Sequence, residues 1–500
     1  MSLGPLEIAL IAAYCGIFLL LAIYGAHRYW LVRQYFRHQS RAAREAPPTE
    51  DLPTVLVQLP IYNERGVAER LLRAVAAFDY PRDRLAIQVL DDSDDDTTLI
   101  LAAVVADLRE TGVPIEHLRR RERRGYKAGA LAWGLRRSDA ELVAIFDADF
   151  VPPADFLPRA VGHFADPQVG LVQARWEHLN ESHSLLTRLQ ALMLDGHFII
   201  EHGARARSSV FFNFNGTAGV WRRAAIDAAG GWSADTLTED LDLSFRAQLA
   251  GWRFVLRIDL TAPAQLPESI LAFKSQQRRW TLGATQTARK LLGPIWRAPI
   301  RLACKIEATM QLTCNLAYVL LVALALLLFP VYAARDRFGA DWIFWVDIPM
   351  LLFGAGALVA FYGSARRELG RSPWGALLAV PALMALGMGM SVNNAWAAVE
   401  GIFARGGEFV RTPKRGYAAR RQRALPLVEW SLLVHLLATA VFCAARGLWW
   451  TFPFLALFIG GFGWVCAMTI DELGWFEGAR SESDAAASTG ASHFGASRSK

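Results

Sequence analysis

The chain has 500 residues, of which 53% are hydrophobic and 20% are charged, with a formal net charge of +6. Ordinary globular domains carry about 25% charged residues, so this composition excludes a chain that is mostly disordered, a collagen and a disulfide scaffold. So mild a positive excess does not predict a nucleic-acid partner, and none is expected. The 5 cysteines show no metal-binding spacing, which is typical of isolated buried thiols.

The first predicted element is an apolar segment, residues 6–26, which is long enough to cross a hydrocarbon core of about 30 Å. No Lys or Arg precedes it, whereas several arginines follow it from Arg28 onward. A cleaved signal peptide is the alternative, but its basic n-region is missing and the apolar run is too long. The positive-inside rule therefore predicts a transmembrane helix over 1–30, with an outside N-terminus, and a cytoplasmic linker over 31–50.

Residues 51–300 are predicted to be a cytoplasmic α/β domain, because strand-like and helical patterns alternate along this stretch. Near-continuous apolar strands separated by helices predict a doubly wound, mostly parallel sheet with both faces covered. In open α/β sheets, ligands bind outside the carboxyl ends of the strands, so that edge is the expected site. The predicted strands are 54–60, 85–92, 141–149 and 169–176, and the predicted helices are 66–77, 95–110 and 127–137.

Residues 301–478 are predicted to form an α-helical transmembrane region. Basic residues flank 376–392 on both sides, which favours a short re-entrant or interfacial segment there and leaves five or six spans open. The basic loop 400–425 is expected in the cytoplasm, and the Ser-, Ala- and Gly-rich segment 479–500 is expected to be a disordered tail. The apolar stretches are 309–332, 343–364, 376–392, 428–446 and 449–468.

Two acidic motifs follow predicted strands. Asp91 and Asp92 begin a run of five carboxylates in six residues, which repel each other unless a cation or hydrogen-bond donors compensate. The later acids, from Asp94, also suit a helix N-terminus, whereas the first two lie at the strand end and favour function. Asp147 and Asp149 end the next predicted strand, where residues i and i+2 share a face. Such a pair suits Mg²⁺ or Mn²⁺ together with substrate phosphates.

Two further motifs precede the membrane region. Thr238, Glu239 and Asp240 open a helical run, where Thr238 suits an N-cap and Asp240 suits a catalytic base. Residues 276–280, with the sequence QQRRW, lie in a predicted helix. Taken alone, they are typical of an interfacial segment with Arg and Trp at the level of the lipid headgroups.

In this order, the four motifs resemble those of the processive family 2 glycosyltransferases, which include the cellulose synthases. The resemblance is closer to the cellulose-synthase-like synthases of mannan and glucomannan. It covers about residues 50–425, with similar flanking blocks at 60–65, 125–131 and 211–219, and it implies a GT-A-like fold. The motifs are D,D (Asp91, Asp92), DxD (Asp147, Asp149), TED (Thr238, Glu239, Asp240) and QxxRW (Gln276, Arg279, Trp280).

The resemblance also implies roles for individual residues. Asp240 is expected to be the general base, with Glu239 beside it, and Arg279 to stabilise the departing diphosphate. Asp149, with Asp147, is expected to bind the divalent ion. The nucleotide-sugar contacts implied are Tyr62, Glu64, Asp91, Asp92, Lys127, Asp147, Gln276 and Arg279. The acceptor contacts implied are Trp280, Asn215, Gly216 and Thr217, and a gating loop like the family's keeps Phe409, Thr412 and Lys414.

The function that the resemblance implies is a multi-pass membrane enzyme, in the inner or plasma membrane, with its catalytic domain in the cytoplasm. It would be an inverting transferase that uses GDP-mannose or UDP-glucose with Mg²⁺ or Mn²⁺ to extend a β-linked polysaccharide processively, with β-1,4 as the expected linkage. A non-processive glycolipid synthase, which adds a hexose to a lipid acceptor such as diacylglycerol, is the alternative. A transporter or scaffold with an inactive transferase domain is the third hypothesis, against which the intact Asp149, Asp240 and Arg279 argue.

Overall fold

The computed structural model describes residues 4–43, 45–46, 51–338, 344–404, 406–407 and 427–473. The predicted gating residues Phe409, Thr412 and Lys414, most of the basic loop 400–425 and the predicted tail 479–500 lie outside these ranges.

A long helix, α1 (Pro5–Arg37), precedes the α/β domain. Its last two turns bury Leu31, Gln34 and Tyr35, which lie on one face because their spacing is i, i+3 and i+4. The Tyr35 ring lies against the backbone of Gly203 in the α/β domain. The helix therefore continues beyond residue 30, and residues 31–37 of the predicted linker are helical.

A seven-stranded sheet forms the centre of the α/β domain, in the order β3-β2-β1-β4-β6-β5-β7. Only β6 among these strands runs antiparallel to its neighbours, so the predicted mostly parallel sheet is confirmed. The predicted elements did not include β3, β6 or β7, of which β3 is short and partly polar and β6 has only 4 residues. The strands are β1 (Val55–Ile61), β2 (Leu85–Asp91), β3 (Ile115–Arg119), β4 (Leu142–Ile145), β5 (Val169–His178), β6 (Gly219–Arg222) and β7 (Arg253–Ala264).

Helices cover both faces of this sheet. Along β1, Val55, Val57 and Leu59 join one buried apolar cluster, and Leu56 joins the cluster on the other face. This alternation follows from the two-residue repeat of a strand. A π-helical turn, Gly196–His202, connects α6 to α7. The helices are α2 (Ala68–Ala76), α3 (Thr97–Glu110), α4 (Tyr126–Leu135), α5 (Phe156–Val161), α6 (Leu185–Asp195), α7 (Gly203–Ser208), α8 (Arg223–Ala228) and α9 (Glu239–Leu249).

The rest of the described chain is helical. Within the described residues, 4 helices are long and apolar enough to cross a membrane, namely Pro5–Arg37, Leu316–Arg337, Leu427–Ala445 and Trp449–Glu472. The bent pair Trp374–Gly389 and Ser391–Phe403, at 52°, would add a fifth if it is one broken span, and none if it is a re-entrant loop. The helices are α10 (Ile270–Arg297), α11 (Leu302–Thr313), α12 (Leu316–Phe338), α13 (Phe344–Glu368), α14 (Trp374–Gly389), α15 (Ser391–Phe403), α16 (Leu427–Ala445) and α17 (Phe452–Glu472).

Two segments of the predicted transmembrane region have boundaries that differ from those of the observed helices. The predicted span 309–332 begins inside α11, and a separate helix, α12, starts only at Leu316. The predicted re-entrant segment 376–392 falls on the bent pair, whose break lies at Met390. Both the re-entrant and the spanning interpretation of this pair stay predictions.

The α10 helix joins the α/β domain to the apolar C-terminal helices. Its N-terminus is capped by Glu472 of α17, whose carboxylate accepts hydrogen bonds from the backbone N–H groups of Ile270, at 2.6 Å, and Leu271, at 3.1 Å. The Ser269 hydroxyl donates to the same carboxylate at 2.6 Å. A carboxylate at this position satisfies unpaired N–H groups and complements the positive end of the helix dipole.

Candidate active site

A cleft opens at the carboxyl ends of β1, β2 and β4, and the N-terminus of α9 and one face of α10 line its other side. The structure brings nearly all of the predicted site residues within the described ranges to this cleft. Asp91 and Thr217 are the two exceptions. The predicted residues that line the cleft are Tyr62, Glu64, Asp92, Lys127, Asp147, Asp149, Asn215, Gly216, Glu239, Asp240, Gln276, Arg279 and Trp280.

The DxD pair reaches the cleft by a different route from the one the sequence predicted. β4 ends at Ile145, so Asp147 and Asp149 lie in the turn after the strand, and the two-residue repeat of a strand does not apply to them. The backbone N–H of Asp147 donates to the Thr217 hydroxyl at 2.9 Å. The fully buried Thr217 therefore supports the turn from behind and does not line the cleft.

Asp147 and Asp149 are the residues that could hold a divalent cation. They supply hard oxygen atoms to the cleft, as Mg²⁺ and Mn²⁺ prefer. No group of three or more His, Cys, Asp or Glu side chains in the described part of the chain is arranged to hold a metal by itself. Two carboxylates fit a cation whose other ligands are substrate phosphates and water.

Lys127 bridges the DxD turn and the adjacent glycine turn at Gly216. Its Nζ donates to the Asp147 carboxylate and, at 2.8 Å, to the carbonyl oxygen of Gly216. Burial alone would lower the pKa of Lys127, but Asp147, Glu239 and Asp240 outweigh it and raise the pKa. The lysine therefore keeps its positive charge at the centre of the cleft.

Asp240 and Glu239 form the first turn of α9, where the helix dipole favours carboxylates. The predicted N-cap residue, Thr238, precedes the helix, but its side chain makes no capping hydrogen bond. Burial and the neighbouring Glu239 raise the pKa of Asp240 to about 7, although Lys127 opposes them. Burial likewise raises the pKa of Glu239 against the opposing charge of Lys127. Asp240 is thus a carboxylate that can gain and lose a proton near neutral pH.

Three motif residues on α10 line the cleft from one face of the helix. Gln276, Arg279 and Trp280 are spaced i, i+3 and i+4, which places their side chains together. Burial lowers the pKa of Arg279 from its very high ordinary value, although the neighbouring carboxylates oppose this, and the guanidinium stays charged. Gln277 is buried on another face of the same helix.

The two predicted D,D residues occupy different environments. Asp91 is the last residue of β2 and is fully buried, where it accepts a hydrogen bond from the Ser93 N–H at 2.8 Å and contacts His117 at 2.9 Å. Burial opposes ionisation, but these hydrogen bonds lower the pKa of Asp91. Asp92 lines the cleft and accepts from Arg120 Nε at 2.7 Å. Of the pair, only Asp92 reaches the cleft.

Several cleft residues were not among the sequence predictions. The Arg123 guanidinium lies over the Tyr62 ring, 3.4 Å from its centre, in a cation–π contact. The Tyr62 hydroxyl donates to Asp94 Oδ2 at 3.2 Å. Trp176 and His178, at the carboxyl end of β5, also line the cleft. The five arginines within residues 119–124 were the sequence signal that could have indicated Arg123.

The cleft therefore combines a DxD turn, a buried lysine and an ionisable carboxylate at the carboxyl edge of a mostly parallel α/β sheet, as expected for the predicted GT-A-like domain. Residues 53–283, which contain the residues of the cleft, match the family described as glycosyltransferase like family 2. A stretch of 254 residues is 45% identical to glucomannan 4-beta-mannosyltransferase 2 of Arabidopsis thaliana, covering 50% of this chain and 48% of the relative.

Other relatives agree with this assignment. Glucomannan 4-beta-mannosyltransferase 1 of Oryza sativa subsp. japonica is 43% identical over 254 residues, which are 50% of this chain and 49% of the relative. The match spans about half the length of these curated relatives. The predicted resemblance to glucomannan synthases of the cellulose-synthase-like type is confirmed. A solved structure, the mannosyltransferase PcManGT from Pyrobaculum calidifontis in complex with GDP-Man and Mn²⁺, has a TM-score of 0.48 and 24% identity, covering 79% of this chain and 98% of that one.

Proposed function

We propose that the protein is a membrane-bound, inverting hexosyltransferase that extends a β-1,4-linked polysaccharide. GDP-mannose is the first donor to consider and UDP-glucose the second, because the similar plant proteins are named glucomannan 4-beta-mannosyltransferases. The observation that carries the proposal is the meeting of Lys127, Asp147, Asp240 and Arg279 in one cleft. Two cations and two carboxylates are the groups needed to hold a diphosphate and deprotonate a hydroxyl.

Each of these side chains has its own role in the transfer step. Asp240 takes the proton from the acceptor hydroxyl, whose oxygen attacks C1 of the donor sugar while the bond from C1 to the diphosphate breaks. Lys127 and Arg279 hold the negative charge that develops on the departing nucleoside diphosphate. A single displacement inverts C1, so an α-linked donor gives a β-linkage. A divalent ion on Asp147 and Asp149 would supply further charge neutralisation.

A second cavity, of about 360 Å³, supports passage of a polymer through the membrane helices. Phe273 and Gln277 of α10 line it, together with residues of α1, α12, α13, α14 and α15. Because Gln276 on the same helix lines the catalytic cleft, α10 lies between the two spaces. This arrangement supports a processive enzyme whose product leaves through its own transmembrane region, with the catalytic domain in the cytoplasm.

The test uses the full-length protein in lipid nanodiscs with a panel of GDP- and UDP-sugars. Each donor is supplied with Mg²⁺, with Mn²⁺ or with EDTA, and the product is analysed for length and linkage. We expect a long β-1,4-linked product from GDP-mannose or UDP-glucose and a loss of synthesis with EDTA. Formation of only a monoglycosyl or diglycosyl lipid would contradict the proposal and favour a glycolipid synthase.

The pKa of Asp240 predicts the pH dependence of the reaction. Only the ionised carboxylate accepts a proton, and because its pKa is raised to about 7, the ionised fraction increases as the pH rises through that value. We therefore expect kcat/KM, which reports on the free enzyme, to rise through about pH 7 and then level off. The check is kcat/KM for the donor across the neutral range in constant ionic strength. An acidic limb near the ordinary pKa of aspartate would disagree with the assignment.

Gly216→Ala is expected to reduce activity by about tenfold or more, and stability by about 1 to 3 kcal/mol. Gly216 has φ of +80°, and a Cβ there would lie 3.0 Å from Asp240 Oδ2 and 3.4 Å from Lys127 Nζ. Gly231→Ala is the matched control, because it has φ of +78° and open space around its Cβ position. Initial rates and thermal unfolding of both variants separate backbone strain from the contact with Asp240. Equal activities in the two variants would rule out the proposed contact.

A further inference from the structure

A pair of histidines holds the amide of Asn215 at the wall of the cleft. His202 Nε2 lies 2.7 Å from Asn215 Oδ1, and His197 Nε2 lies 2.8 Å from Asn215 Nδ2. The centres of the two imidazole rings are 4.2 Å apart. Asn215 is among the described residues that line the cleft, and neither histidine is. The pair therefore acts on the cleft through this one amide.

The directions of these hydrogen bonds follow from the Glu201 carboxylate, which can only accept. Its Oε2 lies 2.7 Å from His197 Nδ1, so Nδ1 donates, and Nε2 accepts from the Asn215 amide nitrogen that faces it. Asn215 Oδ1 is then left to accept from His202 Nε2. His202 Nδ1 is buried with no hydrogen-bond partner in the described part of the chain, which agrees with a neutral ring. Burial, with the charge of Arg205 nearby, also lowers the pKa of His202 well below its ordinary value.

The π-helical turn Gly196–His202 places both histidines on one side. Residues five apart in a regular α-helix point in directions about 140° apart. The i to i+5 hydrogen bonds of a π-helix bring such residues onto one face, and these rare turns are frequent at functional sites. Just before the turn, Leu194 lines the cleft and Met193 lines the membrane cavity. The turn that carries the histidine pair thus begins directly after residues that line both spaces.

A buried chain of charges fixes the acidic end of this cluster. Arg205 Nε donates to Glu307 Oε1 at 2.8 Å, and Arg205 Nη1 lies 3.9 Å from Glu201 Oε2. His27 of α1 contacts Glu307 Oε2 at 2.7 Å. Burial opposes ionisation of Glu201, but the hydrogen bond from His197 and the charge of Arg205 hold its pKa well below the ordinary value. Glu201 is therefore an ionised and fixed acceptor for His197.

We propose that His197 and His202 are positioning residues that orient the Asn215 amide toward the acceptor sugar. The inference rests on the proposed function, because it takes the cleft to hold a sugar acceptor. One N–H of Asn215 is donated to His197, which leaves the second for an acceptor hydroxyl. The next residue is fixed on the donor side, where the Gly216 carbonyl accepts from Lys127 at 2.8 Å. Loss of the histidine contact should therefore weaken acceptor binding and leave donor binding intact.

The test compares His202→Leu, which removes the donor to Asn215, with His202→Gln, whose amide N–H can replace it. His163→Leu is the matched control, because His163 contacts Arg257 at 2.8 Å and does not line the cleft. Full-length proteins are assayed with GDP-mannose and a soluble β-1,4-linked mannose oligosaccharide. The measured quantities are the KM for each substrate, kcat, product length and thermal unfolding.

We expect His202→Leu to raise the acceptor KM about tenfold, the effect of one lost hydrogen bond, and to shorten the product. The donor KM should stay within about twofold, and His202→Gln should recover most of the acceptor affinity. Unchanged acceptor KM and product length in His202→Leu would overturn the inference, as would equal changes in His202→Leu and His163→Leu. A wild-type protein that elongates no oligosaccharide with any donor would overturn the proposed function, and the inference with it.

Discussion

Asp240→Asn is expected to lower the rate of sugar transfer about a thousandfold, within the range observed when a general base is removed. The amide has nearly the shape of the carboxylate but cannot take the proton of the acceptor hydroxyl. Donor binding should persist, because Lys127 and Arg279 remain in the cleft. Transfer is measured as release of the nucleoside diphosphate in the presence of acceptor, and donor binding by calorimetry.

A matched control for this variant lies two residues along the same helix. Asp242 is buried and pairs with Arg246 at 2.7 Å and Lys290 at 2.8 Å, and it does not line the cleft. Asp242→Asn should lower thermal stability, because it leaves buried charges short of a partner, while the folded fraction keeps its transfer rate. Unchanged turnover in Asp240→Asn would favour the third hypothesis, a membrane protein with an inactive transferase domain.

The stability of Asp240→Asn should change in the opposite direction from its activity. The pKa of Asp240 is raised in the folded protein, so folding favours the protonated form, and stability is lost as the pH rises from the unfolded pKa through about 7. A neutral asparagine removes that loss. The variant should therefore unfold at a temperature no lower than the wild type above pH 7, which separates a catalytic defect from a folding defect.

Arg279→Gln is expected to lower kcat by about 100- to 1000-fold, as when one group that stabilises developing charge is removed. Arg279 lines the cleft, where it is proposed to hold the departing diphosphate, whereas the adjacent Arg278 pairs with Glu400 of α15. Arg278→Gln is therefore a control with the same change of charge one residue away, and it should cost about 1 kcal/mol or less in stability. Steady-state kinetics of Arg279→Gln and Arg278→Gln check this expectation. Similar losses of kcat in the two variants would contradict it.

Local sequence patterns were sufficient to predict part of the site. The positions of other site residues depend on where the strands and helices end. The spacing of Gln276, Arg279 and Trp280 is sufficient to place them on one helix face. The strand argument for Asp147 and Asp149 was wrong in its geometry, because β4 stops at Ile145. Both carboxylates reach the cleft through a turn, a conformation that an apolar run does not specify.

Other parts of the site could not be predicted because they depend on long-range contacts. His197 and His202 share a face because the helix widens into a π-helical turn. In a regular α-helix, with 3.6 residues per turn, the same two side chains would point in different directions. Asp91 turns away from the cleft because β2 includes it, while its neighbour Asp92 follows the strand end.

The cap on α10 has a consequence for how the protein can be divided. The helix that carries Gln276, Arg279 and Trp280 begins on the carboxylate of Glu472, about 200 positions later in the chain. A fragment that stops near residue 300 would contain every catalytic motif and still lack the group that holds the first turn of that helix. The catalytic unit is therefore discontinuous in the chain, and a substitution at Glu472 in the last helix of the described structure would act on the helix that lines the active site.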